Sequence, residues 1–307
     1  EYKVSSRGAS RASAEKKETH SLEAILHKEE VKRISIGIKE VDRVLGGGVL
    51  SGSMILLGGS PGIGKSTLAL QTLSSFKQNV LYASAEESEE QIALRAKRLN
   101  VLSSNIHLSS ENRIDEILNQ VSLLKPQLLI IDSIQTIFSE NLDSLPGSVS
   151  QIRECGQKLL QLAKEEKIAI LVIGHVTKEG VIAGPKMLEH MVDTVLYLEG
   201  DERNDHRILR SVKNRFGTTN EVGIFQMTTL GLEEVTNPSE LFLAERRNDI
   251  TGSTIFPSLE GTRPILVEIQ CLVSNANFNA PQRNVNGFDF KRLSMLLAVL
   301  EKRMGYK

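Results

Sequence analysis

An α/β fold with a mainly parallel sheet, covered by helices on both faces, is predicted by three observations. Strand-like and helix-like stretches alternate from about residue 54 to residue 198, which is the order of a sheet built by helical crossovers. The strands read as short, continuous apolar runs, as buried parallel strands do. Residues 59–66 read Gly-Ser-Pro-Gly-Ile-Gly-Lys-Ser, placed between an apolar run and a helix-forming stretch. Strand, glycine turn and helix in that order make a phosphate-binding unit.

Each element has a local reason. Residues 1–25 open on a stretch rich in Ser, Ala, Lys, Arg and Glu without apolar period and read as a flexible linker. The pattern is mixed from Leu22 to Gly48, ending in the tight loop Gly46-Gly47-Gly48. Met54–Leu57 is the first core strand, and a helix follows the glycine turn from Ser66 to about Phe76. Asn79–Ser84 is a strand. Ser88-Glu89-Glu90-Gln91 is a capping box that opens a helix to about Leu99. Ile106–Leu108 is a short strand. Ile114, Ile117, Leu118, Val121 and Leu124 fall at helical spacing, and Pro126 ends that helix. Leu128–Asp132 is a buried strand, and residues 139–147 are a polar, flexible connection. A long helix runs from Val149 to about Glu166, followed by the strand Ile168–Ile173. Strands at Thr194–Leu198, Ile208–Val212 and Val222–Met227 have little helix between them, which predicts an antiparallel extension. The character changes near residue 248. Thr251–Pro257 and Pro264–Ile269 read as strands, residues 274–287 are rich in Asn and Gly, and Lys291–Arg303 is an amphipathic helix. The expected division is a linker at 1–25, a nucleotide-binding domain at 26–247 and the front of a second domain at 248–307.

Composition narrows the function classes. The chain has 307 residues, 40% hydrophobic and 24% charged, as ordinary globular domains have. No run approaches the roughly 20 apolar residues of a membrane span, so no membrane partner is expected. The polar N-terminal stretch carries no secretory signal. Two distant cysteines, Cys155 and Cys271, form neither a disulfide framework nor a zinc site. A reducing cytoplasm is the expected setting. Net charge is −1, so any nucleic-acid binding must come from a local basic surface.

The chemistry centres on a nucleoside triphosphate. Gly59, Ser60, Pro61, Gly62, Ile63, Gly64, Lys65, Ser66 and Thr67 are expected to line its phosphates, because backbone N–H groups and a helix N-terminus favour anions. Lys65 should reach the β- and γ-phosphates, and the Ser66 hydroxyl should sit on Mg²⁺. Asp132, at the tip of an apolar strand, is the second expected Mg²⁺ ligand. Ser133 follows it, so the base that activates water must come from elsewhere. Glu86 and Glu87 stand just past the strand Asn79–Ser84, which is expected to neighbour the phosphate-loop strand; Glu86 is taken as the base. His175, after the strand Ile168–Ile173, is either a γ-phosphate sensor or a structural hydrogen-bonder. Arg207, Arg210, Lys213 and Arg215 are either the charged face of an edge strand or cations reaching a neighbouring subunit's γ-phosphate.

These strings resemble one family, the bacterial RadA (Sms) DNA-repair ATPases. The resemblance rests on Gly59–Ser66, Tyr82-Ala83-Ser84-Ala85-Glu86-Glu87-Ser88 and Leu128–Asp132 with Ser133-Ile134-Gln135-Thr136. It also rests on Pro146-Gly147-Ser148-Val149-Ser150-Gln151, Gly174-His175-Val176-Thr177-Lys178-Glu179-Gly180 and the pentapeptide Lys213-Asn214-Arg215-Phe216-Gly217. It spans nearly everything from about residue 30 onward. Ala85 stands where the family usually has Gly. The resemblance implies a RecA-like P-loop NTPase core with ATP or ADP and Mg²⁺ between the subunits of a homo-hexamer. It implies that the second domain is the start of a Lon-protease-like α/β domain. Zinc is expected only in an N-terminal four-cysteine finger that this chain does not carry. It further implies a cytoplasmic helicase that drives branch migration in recombinational repair, on single-stranded and branched DNA, with recombination proteins such as RecA as partners. Glu86 is then the base, His175 the sensor, and Lys213 and Arg215 act in trans. Two loops would face the DNA channel: roughly Ser139–Ser148, and Thr177–Glu189 with Lys178 and Lys186. The alternative is a nucleotide-switched scaffold that forms rings and binds proteins, as the related circadian-clock ATPases do. A protease assembly has no assignable Ser–Lys pair.

Overall fold

A computed structural model of the chain describes residues 33–175, 183–200, 205–243, 251–275 and 282–305, together with Ser21 and Arg246. The expected linker therefore lies outside the described residues, Ser21 excepted.

The chain opens with β1 (Arg33–Ile34), α1 (Lys39–Leu45) and β2 (Val49–Leu50). Then come β3 (Met54–Gly59), α2 (Lys65–Thr72), β4 (Val80–Ser84), α3 (Glu89–Arg98), β5 (Ile106–Ser109), α4 (Ile114–Leu124) and β6 (Leu128–Asp132). α5 (Val149–Glu166), β7 (Ala169–His175), α6 (Ala183–Met191) and β8 (Thr194–Glu199) follow. β9 (His206–Asn214), β10 (Val222–Thr228), β11 (Gly231–Glu234) and α7 (Pro238–Leu243) complete the core. β12 (Ser253–Glu260), β13 (Arg263–Gln270) and α8 (Phe290–Met304) come last.

One nine-stranded sheet has the order β11-β10-β9-β8-β3-β7-β6-β4-β5. β8 through β5 are parallel, whereas β9, β10 and β11 are antiparallel, as the helix-poor spacing predicts. Alternation along β3 explains the two-sided core. Ile55 and Leu57 join the cluster holding Val44, Leu68 and Ile92 from α1, α2 and α3. Met54 and Leu56 join the cluster holding Ile117, Leu159 and Leu188 from α4, α5 and α6. Every residue of β3, β4 and β6 is buried, so each continuous apolar run is explained by packing on both faces.

Helix ends follow their chemistry. The Ser88 capping box is complete, with Gln91 returning its side chain to the Ser88 amide. α4 ends at Lys125 with φ 49°, just before Pro126.

Two expectations are corrected. β4 does not neighbour β3, because β7 and β6 lie between them; chain order carries no information about strand order once crossovers intervene. Residues 139–147 are not a loose connection. The buried Gln151 side chain on α5 bonds the amide and carbonyl of Ser139 and the carbonyls of Leu142 and Ser144. The short elements β1, α1, β2, β11, α6 and α7 were not legible, since each is too short to show a period.

β12 and β13 form a separate antiparallel hairpin. It is fastened to the core by Arg263, which pairs with Glu40 of α1 at 2.8 Å and donates to the carbonyls of Val235 and Thr236. α8 has no buried residue. Among the described residues no helix is long and apolar enough to cross a membrane.

Candidate active site

The carboxyl ends of β3, β4, β6 and β7 lie side by side, the position where open α/β sheets bind ligands. β3 delivers the glycine turn and α2 continues from it. Gly62 and Gly64 hold φ of 75° and 112°, conformations that an L side chain rarely adopts. A Cβ at Gly64 would sit 2.6 Å from the Met227 terminal methyl, which a flexible side chain can move aside, so it is the backbone conformation that requires glycine there. Lys65 is buried and donates from Nζ to the carbonyls of Gly59 at 3.0 Å and Ser60 at 2.9 Å. Burial lowers its pKa to about 8, against the opposing pull of the Asp132 and Glu86 carboxylates. Ser66 and Thr67 follow on the first turn of α2, half-buried.

Asp132 ends β6 and is buried. Its Oδ2 accepts from the Tyr82 hydroxyl, while Oδ1 has no protein hydrogen-bond partner among the described residues. A buried carboxylate oxygen without a partner, close to Lys65 and the glycine turn, fits a divalent cation, a hard ion that seeks oxygen ligands. Burial and then the Asp132 charge push the Tyr82 hydroxyl well above its usual pKa, so Tyr82 stays a proton donor to Asp132.

Glu86 lies two residues beyond β4, whose last residue pairs with Asp132. Its Oε1 accepts from Ser133 Oγ at 2.5 Å and meets His175 Nε2 at 3.3 Å. The His175 hydrogen bond, followed by that of Ser133 and the charge of Lys65, outweighs burial and holds the Glu86 carboxyl below its usual pKa. Glu87 is spent differently: it pairs with Arg95 on α3. His175 ends β7 opposite Gly59, the first residue of the turn. Gln135 donates to the His175 carbonyl at 3.2 Å. The structure thus brings Lys65, Glu86, Asp132 and His175 together on the sheet's ligand-binding edge.

Lys213 and Arg215 are not part of that group. Asn214 pairs with Thr194 at the start of β8, which pairs with Ile55 at the start of β3. The glycine turn is at the other end of β3, roughly 13 Å further along the strand. Lys213 Nζ donates to the carbonyls of Glu189, His190 and Val192 at 2.6, 3.3 and 2.7 Å, so it caps the C-terminus of α6. Arg215 pairs with the buried Asp193 at 3.2 Å and is half-exposed. Arg207, of the same basic cluster, is buried inside its own subunit. Lys178 lies outside the described residues. Lys186 is exposed on α6, not on the loop expected across Thr177–Glu189. Among the described residues no cluster of His, Cys, Asp and Glu could hold a further metal.

Four contributing residues were not singled out by sequence reasoning: Tyr82, Ser133 and Gln135 in supporting roles, and Gln151 as the loop anchor. All four stand inside strings that carry the family resemblance, but no role was assigned to them there; Tyr82 adds an aromatic hydroxyl in a largely apolar strand.

The AAA domain family matches residues 22–181. The chain is 52% identical over 283 residues to the DNA repair protein RadA of Halalkalibacterium halodurans, covering 91% of this chain and 62% of that protein. It is 53% identical over 279 residues to the RadA protein of Bacillus subtilis, covering 90% and 61%. The chain therefore spans about three fifths of the length of these curated relatives. Among solved structures, the RadB recombinase superposes with a TM-score of 0.51 at 25% identity, over 66% of this chain and 99% of that one. Another solved ATPase domain reaches a TM-score of 0.57 at 15% identity, over 69% and 95%, and speaks for the RecA-like fold alone.

Proposed function

Because the chain belongs to the AAA domain family and, within it, to the RadA group of DNA repair proteins, we propose that it is an ATP-driven DNA motor. The reaction is hydrolysis of ATP to ADP and phosphate. The observation that carries it is the Glu86–Ser133–His175 cluster standing beside the unpartnered Asp132 oxygen and the glycine turn.

Each side chain has a part. The turn's N–H groups and the Lys65 ammonium neutralise phosphate charge as it moves toward the leaving oxygen. Ser66 and Asp132 would hold Mg²⁺, which supplies charge neutralisation on the phosphates when bound. Glu86, kept ionised by its donors, takes the proton of the attacking water. His175 senses the γ-phosphate, and Gln135 on its carbonyl links it to the turn before residues 139–148.

Arg215, half-exposed, and Lys213, which would exchange the α6 carbonyls it holds for phosphate, act on a neighbouring subunit's nucleotide in a homo-hexamer, a reading supported by their distance from their own glycine turn. Single-stranded DNA passes the segments 139–148 and 177–189, with Lys178 and Lys186 on its phosphates. The motor promotes branch migration beside recombination proteins such as RecA. Residues 26–247 form the RecA-like ATPase domain, and 248–307 the front of a Lon-protease-like domain.

The test is phosphate release with and without single-stranded DNA across a salt series, with Lys65→Ala as control. Turnover should rise with DNA, the stimulation should fade with salt, and Lys65→Ala should be inactive. DNA-independent turnover at every salt concentration would sink the motor reading in favour of a scaffold ATPase.

A further inference from the structure

The strands beside the glycine turn do more than extend the sheet. Gln71 of α2 makes a two-point bond with β11, donating to the Leu232 carbonyl at 3.0 Å and accepting from the Leu232 amide at 2.9 Å. Gly59 lies so close to the Leu198 carbonyl that a Cβ would stand 2.6 Å from it. β8 to β11 therefore back the turn from behind.

Arg207, on β9, supplies a polar contact to the turn itself. It is only 8% exposed. Its Nε donates to the Ile63 carbonyl at 3.2 Å, and Nη1 donates to the His206 carbonyl at 2.9 Å. Gly200 makes room for it, since a Cβ there would stand 2.7 Å from Arg207 Cδ. The consequence follows from peptide geometry. The Ile63 carbonyl and the Gly64 N–H belong to one planar trans peptide and point in opposite directions. Holding the carbonyl toward β9 turns the Gly64 N–H away from β9, toward the mouth of the turn. Glycine at 64, with φ 112°, makes that peptide easy to rotate, so an external hold is useful.

We propose that Arg207 is a positioning residue for nucleotide binding in its own subunit: it sets the Ile63–Gly64 peptide so that the Gly64 N–H faces the phosphates. This rests on the ATP-binding reading above. It also separates Arg207 from Lys213, at the far end of the same strand, and from Arg215 just past it.

The experiment uses the full chain with Mg²⁺ and a fluorescent ATP analogue, steady-state turnover, and amide hydrogen exchange of the nucleotide-free protein. R207M should weaken nucleotide binding about tenfold, the scale of one charge-assisted hydrogen bond. KM should rise more than kcat falls, and exchange should accelerate at Ile63, Gly64 and Lys65 while α4 and α5 stay protected. Unchanged affinity together with unchanged exchange in the turn overturns the proposal. Should R207M lack a cooperative melt, R207Q carries the test with the same readouts, because its shorter amide falls short of Ile63. Absence of binding by the unaltered protein would instead sink the ATP reading.

Discussion

Glu86 shows how neighbours tune one residue. Two donors and a nearby ammonium hold its carboxyl below the usual range. A carboxyl with a depressed pKa is in its base form above that value and loses it as pH falls through it. Removing a donor raises the pKa, so the acid limb of kcat/KM should move to higher pH. His175→Ala, which removes the largest contributor, should move it further than Ser133→Ala. Glu86→Gln should cost about 100-fold or more in turnover. A limb that stays in place in both donor variants means that another group sets it. The position of Glu86 was legible in the sequence as one of two adjacent acids past a strand. What separates them is tertiary: Arg95 occupies Glu87, while Ser133 and His175 face Glu86.

At the scale of elements, the pentapeptide Lys213–Gly217 joins three pieces of the subunit. Lys213 caps α6, Arg215 meets Asp193, and Asn214 donates to the Leu45 carbonyl at the end of α1. Each tie has its own weight. A cation on helix C-terminal carbonyls contributes roughly 0.3–1 kcal/mol, so Lys213→Met should lower stability by about that much and speed exchange at the end of α6. Arg215 is 52% exposed, and a surface pair of that kind contributes about 0–1 kcal/mol. Arg215→Ala should therefore leave the melt nearly unchanged while reducing DNA-stimulated turnover by about tenfold or more, below the ceiling known for trans-acting arginines. Wild-type turnover in purified Arg215→Ala, with DNA present, would falsify the trans role. The strand β9 was legible from its alternation, but its two ends serve different places, and only strand order reveals that.

The whole molecule has a core and an attached hairpin, and their junction is ionic. Glu40 is buried, accepts from the Ile224 amide at 3.0 Å and pairs with Arg263 at 2.8 Å. Breaking a buried pair costs about 3–5 kcal/mol, an upper bound here because Arg43 stays 3.7 Å from Glu40. Arg263→Met should lower the denaturation midpoint accordingly, and adding Glu40→Gln should restore part of the loss. An unchanged midpoint in the single variant means that the pair is not held in solution. The amphipathic period of α8 was correctly legible, yet none of its residues is buried.

Local pattern was enough for the α/β class, the glycine turn, the acid at the tip of β6 and most strand and helix positions. Each follows from short-range physics: apolar runs, capping chemistry, and the spacing of a loop that wraps phosphate. Strand order, the partners of Glu86, the anchoring of residues 139–144 by Gln151, and the split of the basic cluster needed the tertiary structure. In a parallel sheet, residues far apart in sequence meet through crossovers, and nothing local encodes which strands become neighbours. β4 could thus be recognised as a strand from five residues, while its place, separated from β3 by two strands, was decided by how the helices pack on both faces.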